Sequence, residues 1–538
     1  MDKRTLLAIV LSLGVIFAYQ TFFAPPPPQK KTPAAPEQQQ AATATAPAPG
    51  TATAPGGSIV SPITKLPEQR ATEREIRVET PLYEAVFTTR GGALKSLQLK
   101  GYQKTLDKKS GLIELVAVKD FMPRPLSVTF PDSTFDIAPD GMYETDATDR
   151  KISLEGAPKR LVFQQVYPNE VKIEKIYTFQ PGKYIFDLEI RVHNLSTQTL
   201  NQSLSLTWNQ FVDPAVETDS YSHDGPISYI GKDVDRHNVE KMANQSILGP
   251  NVTWAAFESK YFIAALIPHN PMLTSLYLGK DQQEMVSAAL RGPKIVIPVG
   301  QTGLFSYSLY LGPKDYDILK EKGVGLENAI DFSDWLRWLV VPLLLVLKFL
   351  YGYVHNYGIA IIFLTIMIKL IFWPLGNKSY RSMKEMQKLQ PKITEMRDRY
   401  KDDKTRLSQE TMALYRSHKV NPLGGCLPMV IQIPVFFGLY KALLYAIELR
   451  HSPLFWWIQD LSAKDPYYIT PIIMGATMFI QQKMSPPVGD PMQAKIMLLM
   501  PVVFTFLFLS FPSGLVLYWL FNNVISIGQQ MYINRLPS

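Results

Sequence analysis

The chain has 538 residues, a hydrophobic fraction of 46% and a formal net charge of +8. Its length allows two or three domains, and its hydrophobic content excludes an intrinsically disordered protein. Because Cys426 is the single cysteine, an internal disulfide is excluded as well.

The first 24 residues predict an uncleaved transmembrane anchor. Two cations precede an uncharged run from Thr5 to Ala24, which has the length needed to cross a bilayer. The positive-inside rule then predicts a cytoplasmic N-terminus. The run ends in FFA instead of the A-x-A pattern of a cleavage site, and a cleaved signal peptide is the alternative.

Two further segments precede the C-terminal region. Residues 25–56 predict a disordered tether, because Pro, Ala, Thr and Gln dominate and cannot bury enough surface to fold. In residues 57–325, alternating segments such as KIYTFQPGKYIFDLEIRVHN are separated by Gly, Pro, Asn and Asp. This pattern predicts a large antiparallel β-sandwich on the outer, periplasmic side of the membrane.

The C-terminal region predicts a group of transmembrane helices. Residues 376–421 hold twelve Lys/Arg against six Asp/Glu, which predicts a cytoplasmic location. If the anchor leads outward, an odd number of spans separates the sandwich from this basic segment, so one of the two apolar runs before it does not cross. The apolar runs lie at about 334–353, 358–375, 424–447, 469–483, 494–510 and 515–533.

The run at 334–353 is the better candidate for the one that does not cross. Between Arg337 and Lys348, its apolar stretch has nine residues and contains Pro342, and tryptophans near its start suit an interfacial helix. Six transmembrane helices and two cytoplasmic termini follow. The predicted segments are an interfacial amphipathic helix and link at 326–357, a second transmembrane helix at 358–375, a basic helical hairpin at 376–421 and four further transmembrane helices within 422–538.

The basic hairpin has helical periodicity on both sides of YKDDK. A solvated basic surface is one interpretation of its charge. Docking to anionic headgroups, to RNA or to an acidic client tail is the other.

Lys369 lies inside the apolar run FLTIMIKLIFWPL. A charge at bilayer depth costs at least about 2.5 to 3.5 kcal/mol, so something should offset it. The side chain could reach towards the headgroups, since Leu375 at the predicted cytoplasmic end is six residues away, or roughly 9 Å. A hydrated cavity between helices is the alternative.

Polar side chains in neighbouring runs favour the cavity. The last run carries them at helical spacing, Thr365 precedes Lys369 by one turn, and no Asp or Glu lies inside the apolar runs near it. Ordinary hydrogen bonding between helices is the competing interpretation. The polar or amphipathic positions are Gln432, Thr477, Gln481, Trp519, Asn522, Asn523, Ser526, Gln529 and Gln530.

Several stretches resemble the YidC/Oxa family of membrane protein insertases in its Gram-negative bacterial form. They are NPLGGCLPMVIQIPVFFGLY, WWIQDLSAKDPYYITPIIMG and FPSGLVLYW. The resemblance covers essentially the whole chain and is most specific over residues 355–533. It implies a polytopic α-helical membrane protein with a five-helix insertase core and a large all-β periplasmic sandwich.

The resemblance also implies a function. Such a protein would move hydrophilic tails of nascent membrane proteins across the bacterial inner membrane through a cytoplasm-open groove, then release their transmembrane segments into lipid. It would act without a cofactor or metal and not as an enzyme. Its partners would be nascent clients, lipids, Sec translocon components and, through the basic hairpin, the ribosome, but not DNA. The chain stops at NRLPS, so we expect no ribosome contact through a basic tail.

The resemblance assigns the groove residues one by one. Lys369 corresponds to a positive groove residue that is usually arginine, so the charge is kept but the planar fork is not. Thr365 and Gln432 correspond to polar positions beside it. Tyr518 and Trp519 correspond to an aromatic pair that touches the client, although an interfacial aromatic belt would also explain them. Asn523 and Ser526 complete the expected client-binding set from the polar stripe.

Two other functions remain open at this point. A small-solute transporter or channel would also use an intramembrane cation, but it needs a route open at both faces and often has internal repeats, which we do not detect. A membrane-tethered carbohydrate enzyme is the second alternative, because the family's sandwich resembles sugar-binding folds. Fold alone does not give function, however.

Overall fold

The structure is a computed structural model that describes residues 72–168, 170–213, 222–242, 246–400, 403–418, 420, 427–484 and 491–535. The predicted anchor at 1–24, the predicted tether at 25–56, the first part of the predicted sandwich and Cys426 lie outside the described residues.

The region before residue 314 is built from strands that are mostly antiparallel, as the alternation of apolar and polar residues predicts, although β1 and β7 pair in parallel. The strands are β1 (Glu75–Glu79), β2 (Tyr83–Thr88), β3 (Ala93–Gln103), β4 (Leu112–Glu114), β5 (Ser127–Thr129), β6 (Glu144–Thr145), β7 (Lys151–Ser153), β8 (Lys159–Tyr167), β9 (Val171–Phe179), β10 (Ile185–Asn194), β11 (Leu200–Gln202), β12 (Ser205–Phe211), β13 (Gly225–Ile230), β14 (Asp233–Arg236), β15 (Ser246–Leu248), β16 (Val252–Glu258), β17 (Phe262–Pro268), β18 (Ser275–Lys280), β19 (Met285–Arg291), β20 (Ile295–Ile297) and β21 (Thr302–Pro313).

These strands form the predicted β-sandwich. A nine-stranded sheet has the order β14-β13-β16-β17-β21-β10-β9-β8-β6, and two five-stranded sheets have the orders β4-β3-β2-β1-β7 and β15-β18-β19-β12-β5. Aromatic contacts join the layers: the ring of Phe87 in β2 lies 4.7 Å from that of Tyr177 in β9. Beside β5, Phe130 lies 6.4 Å from Phe305 in β21.

Strand β10 shows why these residues form a sandwich. Its side chains alternate strictly between buried and half-buried, because successive residues of a strand point to opposite faces. Phe186, Leu188, Ile190 and Val192 are fully buried. At about 1.5 to 3 kcal/mol per buried large apolar side chain, such rows stabilise the core without disulfides.

Helices follow the sandwich. Their bounds are α1 (Tyr316–Lys320), α2 (Arg337–Val354), α3 (Tyr357–Arg399), α4 (Lys404–Ser417), α5 (Leu427–Tyr445), α6 (Ile469–Met484), α7 (Pro491–Phe508) and α8 (Ser513–Arg535).

Helix α3 is bent by 65° between an arm at Tyr357–Ile371, here called the first arm, and one at Trp373–Arg399, called the second arm. Pro374 explains the bend, since proline has no N–H to donate and its ring clashes with the carbonyl four residues earlier. The predicted transmembrane run at 358–375 and the first half of the predicted basic hairpin therefore belong to one bent helix.

Hydropathy and length alone do not yield six transmembrane helices in the described part of the chain. By these criteria α2 is long and apolar enough to cross a membrane, and α3 becomes a second candidate if its two arms count as one span. Hydropathy alone does not distinguish a spanning α2 from the interfacial helix that the sequence predicts. The contacts of α2 bear on its position more directly.

Helix α2 is held against the sandwich near its C-terminal end. Lys348 forms ion pairs with Asp317 at 2.5 Å and Asp315 at 3.4 Å, both at the end of the sandwich, and with Glu448 after α5 at 2.8 Å. Arg450 adds a hydrogen bond of 2.6 Å to the carbonyl of Gln103 in β3. We call this set of contacts the junction.

Helices α3, α5, α6, α7 and α8 form a bundle whose junction-side end is fixed by the connection between α5 and α6. Asn356, which caps α3, donates a 2.7 Å hydrogen bond to the carbonyl of Leu454 in that connection. The amide of Ser513, which starts α8, donates to the carbonyl of Ala463 at 2.7 Å. The first arm of α3 and α8 therefore start at the same end and run in the same direction.

Candidate functional site

Lys369 lies in the first arm of α3 and contacts α8. Its Nζ donates a 2.7 Å hydrogen bond to Oγ of Ser526, and that hydroxyl donates at 2.7 Å to the carbonyl of Asn522. The hydroxyl of Ser526 thus donates its one hydrogen to the backbone and accepts from the ammonium of Lys369 with its lone pairs. The structure brings together two residues, Lys369 and Ser526, that the sequence analysis had assigned to one client-binding set.

The ammonium of Lys369 is not neutralised by any carboxylate that the structure describes. It has three donors, and the hydrogen bond to Ser526 uses one of them. Two donors thus remain for water or for an acceptor on a passing chain. An ion of one sign, half-buried in an apolar bundle, attracts the opposite sign more strongly than it would in water.

Gln432 in α5 extends this contact to a third helix. Its Nε2 donates at 2.6 Å to Oδ1 of Asn522 and reaches the hydroxyl of Tyr518 at 3.5 Å. We name Lys369, Ser526, Asn522, Gln432 and Tyr518 the lysine cluster. It connects α3, α5 and α8.

Asn523 and Gln530 face a different helix. Nδ2 of Asn523 donates to Oγ1 of Thr477 in α6 at 3.3 Å, and Gln530 donates to the carbonyl of Met484 at the end of α6 at 2.9 Å. The polar stripe of α8 is therefore divided, with one part in the lysine cluster and another holding α6.

Thr365 and Trp519 lie outside the lysine cluster. Oγ1 of Thr365 donates to the carbonyl of Ile361, one turn earlier, and the residue is 1% exposed. The ring of Trp519 packs edge-on at 4.7 Å from Phe436 and at 5.3 Å from Phe508. The hydroxyl of Thr365 is thus satisfied within its own helix, whereas Trp519 fills space between helices.

Tyr518 is 2% exposed, so a client could touch it only after helices move. It also points away from Trp519, because consecutive residues of a helix lie about 100° apart. The two residues expected to act as a client-contacting pair therefore occupy separate environments, and the client-contact assignment stays a prediction.

The sequence-based set omitted residues that the structure places beside the cluster. Tyr380, in the second arm of α3, forms hydrogen bonds with Ser526 and Gln481. Gln529 donates to the carbonyl of Trp373 at 3.1 Å and to Oδ1 of Asn377 at 2.8 Å. Tyr380 and Asn377 lie at the start of the basic segment that the sequence predicted as a separate cytoplasmic hairpin, so they were not expected to face the bundle.

Within the described residues there is no group of three or more His, Cys, Asp or Glu that could hold a metal ion. What the lysine cluster offers is therefore a positive charge and amide and hydroxyl groups, which bind and orient a polar chain by hydrogen bonds.

Two family models match this chain. One described as the YidC periplasmic domain matches residues 75–346, and one described as the 60Kd inner membrane protein matches residues 349–538. The first match covers the sandwich and the first half of α2, and the second covers the helical region that contains the lysine cluster.

Relatives match over their full length. The membrane protein insertase YidC of Syntrophus aciditrophicus is 62% identical, with 99% of this chain and all of the relative covered. The protein of the same name from Geobacter metallireducens is 43% identical, with 99% and 98% covered.

Two solved structures show weaker likeness. An active YidC insertase with its first transmembrane domain resolved gives a TM-score of 0.38 at 20% identity, covering 87% of this chain and 94% of that one. A galactose mutarotase-like protein from Lactobacillus casei gives 0.30 at 14% identity, covering 44% of this chain and 99% of that one. Likenesses this low do not bear on function.

Proposed function

This chain belongs to the YidC family of membrane protein insertases, and we propose that Lys369 is the attractive charge of its client groove. In this proposal the hydrophilic tail of a nascent membrane protein enters a groove open to the cytoplasm and crosses the inner membrane. The transmembrane segment of the client then moves into lipid. The observation that carries the proposal is an ammonium in the bundle whose described partner is a neutral hydroxyl.

The energetics favour such a groove. In hydrocarbon, each unsatisfied polar group of a client tail costs several kcal/mol. The lysine cluster supplies donors and acceptors part-way across, which shortens the dry path. Burial of the client's apolar segment in lipid supplies the driving force.

The proposed topology has six transmembrane helices and two cytoplasmic termini. Five of them would be the first arm of α3, α5, α6, α7 and α8, and the sixth the predicted anchor at 1–24. Helix α2 would lie along the periplasmic surface, and the ion pairs of Lys348 with Asp315 and Asp317 support this. If α2 crossed the membrane, Lys348 would lie about 16 Å from the start of the helix, because it follows Arg337 by eleven residues. At that depth it would be away from the sandwich.

The second arm of α3 and α4 would then form the cytoplasmic hairpin. Exposed cations along them, such as Lys378, Lys392 and Arg406, support contact with ribosomal RNA or anionic headgroups. Cooperation with Sec translocon components is also part of the proposal, as the family resemblance implies. The insertase names of the relatives do not favour a small-solute transporter.

Charge reversal at Lys369 tests the proposal. At an effective dielectric of about 20 and a distance of about 8 Å, two unit charges interact by about 2 kcal/mol. Lys369→Glu should therefore reduce insertion of clients with acidic tails by roughly an order of magnitude or more and affect matched neutral clients much less. Lys369→Arg should be nearly neutral, because charge is used and not geometry. The measurement is insertion into vesicles at equal protein level.

Equal losses for acidic and neutral clients would contradict an attractor role. Equal losses are expected if Lys369 only sets the depth of its helix in the membrane, since glutamate would then disturb folding and therefore every client alike. The arginine variant is the control for side-chain length and charge.

A further inference from the structure

Helix α8 holds both arms of α3 at positions one turn apart. Ser526 accepts from Lys369 in the first arm. Three residues later, Nε2 of Gln529 donates to the carbonyl of Trp373 and to Oδ1 of Asn377, both in the second arm. The bend at Pro374 therefore lies between two contacts that belong to one rigid helix.

Gln529 is built into this place. It is 3% exposed, and both hydrogens of its Nε2 are used by α3. The approach requires glycine at position 376, because a Cβ there would lie 2.7 Å from Nε2 and 3.0 Å from Oε1 of Gln529. No other side chain at 376 would leave room for this amide in its present position.

A proline bend does not fix its own angle. Proline removes the backbone hydrogen bond to the carbonyl four residues earlier, so the angle also depends on contacts from outside the helix. Here Gln529 donates to the carbonyl of Trp373, next to the proline, and to Oδ1 of Asn377, one turn further on. These two hydrogen bonds tie the beginning of the second arm to α8 and so restrict its direction.

We propose that Gln529 is a positioning residue for the insertase: it fixes the bend of α3 and so holds Lys369 and the basic second arm in the arrangement that admits a client. The functional part of this proposal rests on the proposed role of Lys369. The structural part, that Gln529 sets the bend, does not depend on it. Loss of the amide would leave the second arm with its other tethers, among them the hydrogen bonds of Tyr380 and the 3.3 Å contact of Lys384 with the carbonyl of Asn534.

Gln529→Met is the test variant, since methionine keeps the length and removes the hydrogen bonds. Gln530→Met is the matched control: Gln530 is the next residue, is also 3% exposed and donates to Met484 of α6 instead of to α3. Gly376→Ala is an independent second variant, because it displaces the Gln529 amide without altering α8.

The first readout is a distance in the full-length protein. Spin labels at exposed positions Glu395 and Tyr532, in a background with Cys426→Ser, report the direction of the second arm relative to α8. Glu395 lies about 33 Å beyond the bend, so a change of about 10° moves it by roughly 6 Å. We expect a shifted or broadened distance distribution in Gln529→Met and Gly376→Ala, and the parental distribution in Gln530→Met. A parental distribution in Gln529→Met would overturn the proposal, as would an equal change in Gln530→Met.

The second readout separates positioning of Lys369 from general stability. Gln529→Met should lower insertion of acidic-tailed clients several-fold, and the same change should have little further effect in a Lys369→Met background. A purely structural role would give equal losses in both backgrounds and would overturn the functional part. If Lys369→Met itself has no effect on insertion, the proposed function fails, whereas the distance measurement still decides whether Gln529 sets the bend.

Discussion

Lys175 in β9 is a buried cation in the core of the sandwich. Its Nζ donates to the carbonyls of Gly91 at 2.9 Å and Leu126 at 2.7 Å, and its side chain is fully buried. Burial lowers the pKa of Lys175 to about 7, because the ammonium loses its water and has only neutral acceptors. The lysine thus links the layers of the sandwich through two backbone carbonyls. Because its pKa is lowered, its protonation changes near neutral pH.

This depressed pKa predicts a pH-dependent stability. Above about pH 7 the unfolded chain, with an ordinary lysine pKa near 10.5, binds more protons at this site than the folded chain does. The free energy of unfolding should therefore rise with pH, by about 2 kcal/mol between pH 7 and 9 from this residue. Pulse proteolysis in urea of the full-length protein in detergent, compared with Lys175→Met, isolates the contribution.

Other groups titrate alike in the two proteins, so the difference between their profiles belongs to Lys175. Parallel profiles across pH 7 to 9 would show that Lys175 keeps an ordinary pKa in the folded sandwich.

At single positions the sequence predicted which helix face is polar better than it predicted where each side chain points. Periodicity placed Ser526 on a polar face of α8, and its contact with Lys369 follows from that. It could not show that Thr365 would satisfy its hydroxyl on its own helix, since a threonine in a helix can bond the carbonyl four residues earlier. Nor could it show that Trp519 packs among phenylalanines of α5 and α7.

Among the elements, α2 is the one whose role depends most on its contacts. Its buried side is formed by Val340, Leu344 and Leu347, at helical spacing, and its exposed side carries Trp338 and Tyr353 at 70% and 73% exposure. Large aromatic side chains on the open side of a helix are typical of the membrane surface.

Cysteine labelling tests this placement. Single cysteines at Trp338 and Tyr353, at opposite ends of α2, should both react with a membrane-impermeant reagent added from the periplasmic side, and a cysteine at Lys392 should react only from the cytoplasm. A transmembrane α2 separates its ends, so labelling of Trp338→Cys and Tyr353→Cys from different sides would refute the interfacial placement.

Helix α3 shows what the sequence could not predict at this scale. Composition changes at Gly376, from apolar to basic, and this favours a boundary between a span and a separate hairpin. The backbone instead continues as a helix through Pro374, and Gln529 of α8 donates to the carbonyl of Trp373 beside the bend. Pro374 marks where the bend lies, but the contact from a residue more than 150 positions later cannot be read from the local sequence.

In the whole molecule the sandwich and the bundle meet at the junction, away from the lysine cluster. The described contacts of Lys369, Asn522 and Gln432 are all with helices. The sandwich contributes its carboxylates to Lys348 and its backbone to Arg450.

Removal of the sandwich should therefore leave insertion of a simple client largely intact. The variant keeps the predicted anchor and residues from about 326 onward, and insertion is measured in vesicles at equal protein level. The same deletion combined with Lys369→Glu is the control, and it should lose acidic-tailed clients as the full-length variant does. Complete loss of insertion by a stable, folded core would contradict the independence of the two parts.

The junction also orders the events of this protein's own biogenesis. Gln103 and Arg450, which it joins, are 347 residues apart in the chain. All strands of the sandwich precede α2, so the sandwich can fold outside the membrane while the later helices are still being synthesised. In the proposed topology, Arg450 and Glu448 reach the outer surface only after α5 has crossed. Docking at the junction then follows insertion of α5, so a young chain passes through a period in which its sandwich is complete but not yet joined to the bundle.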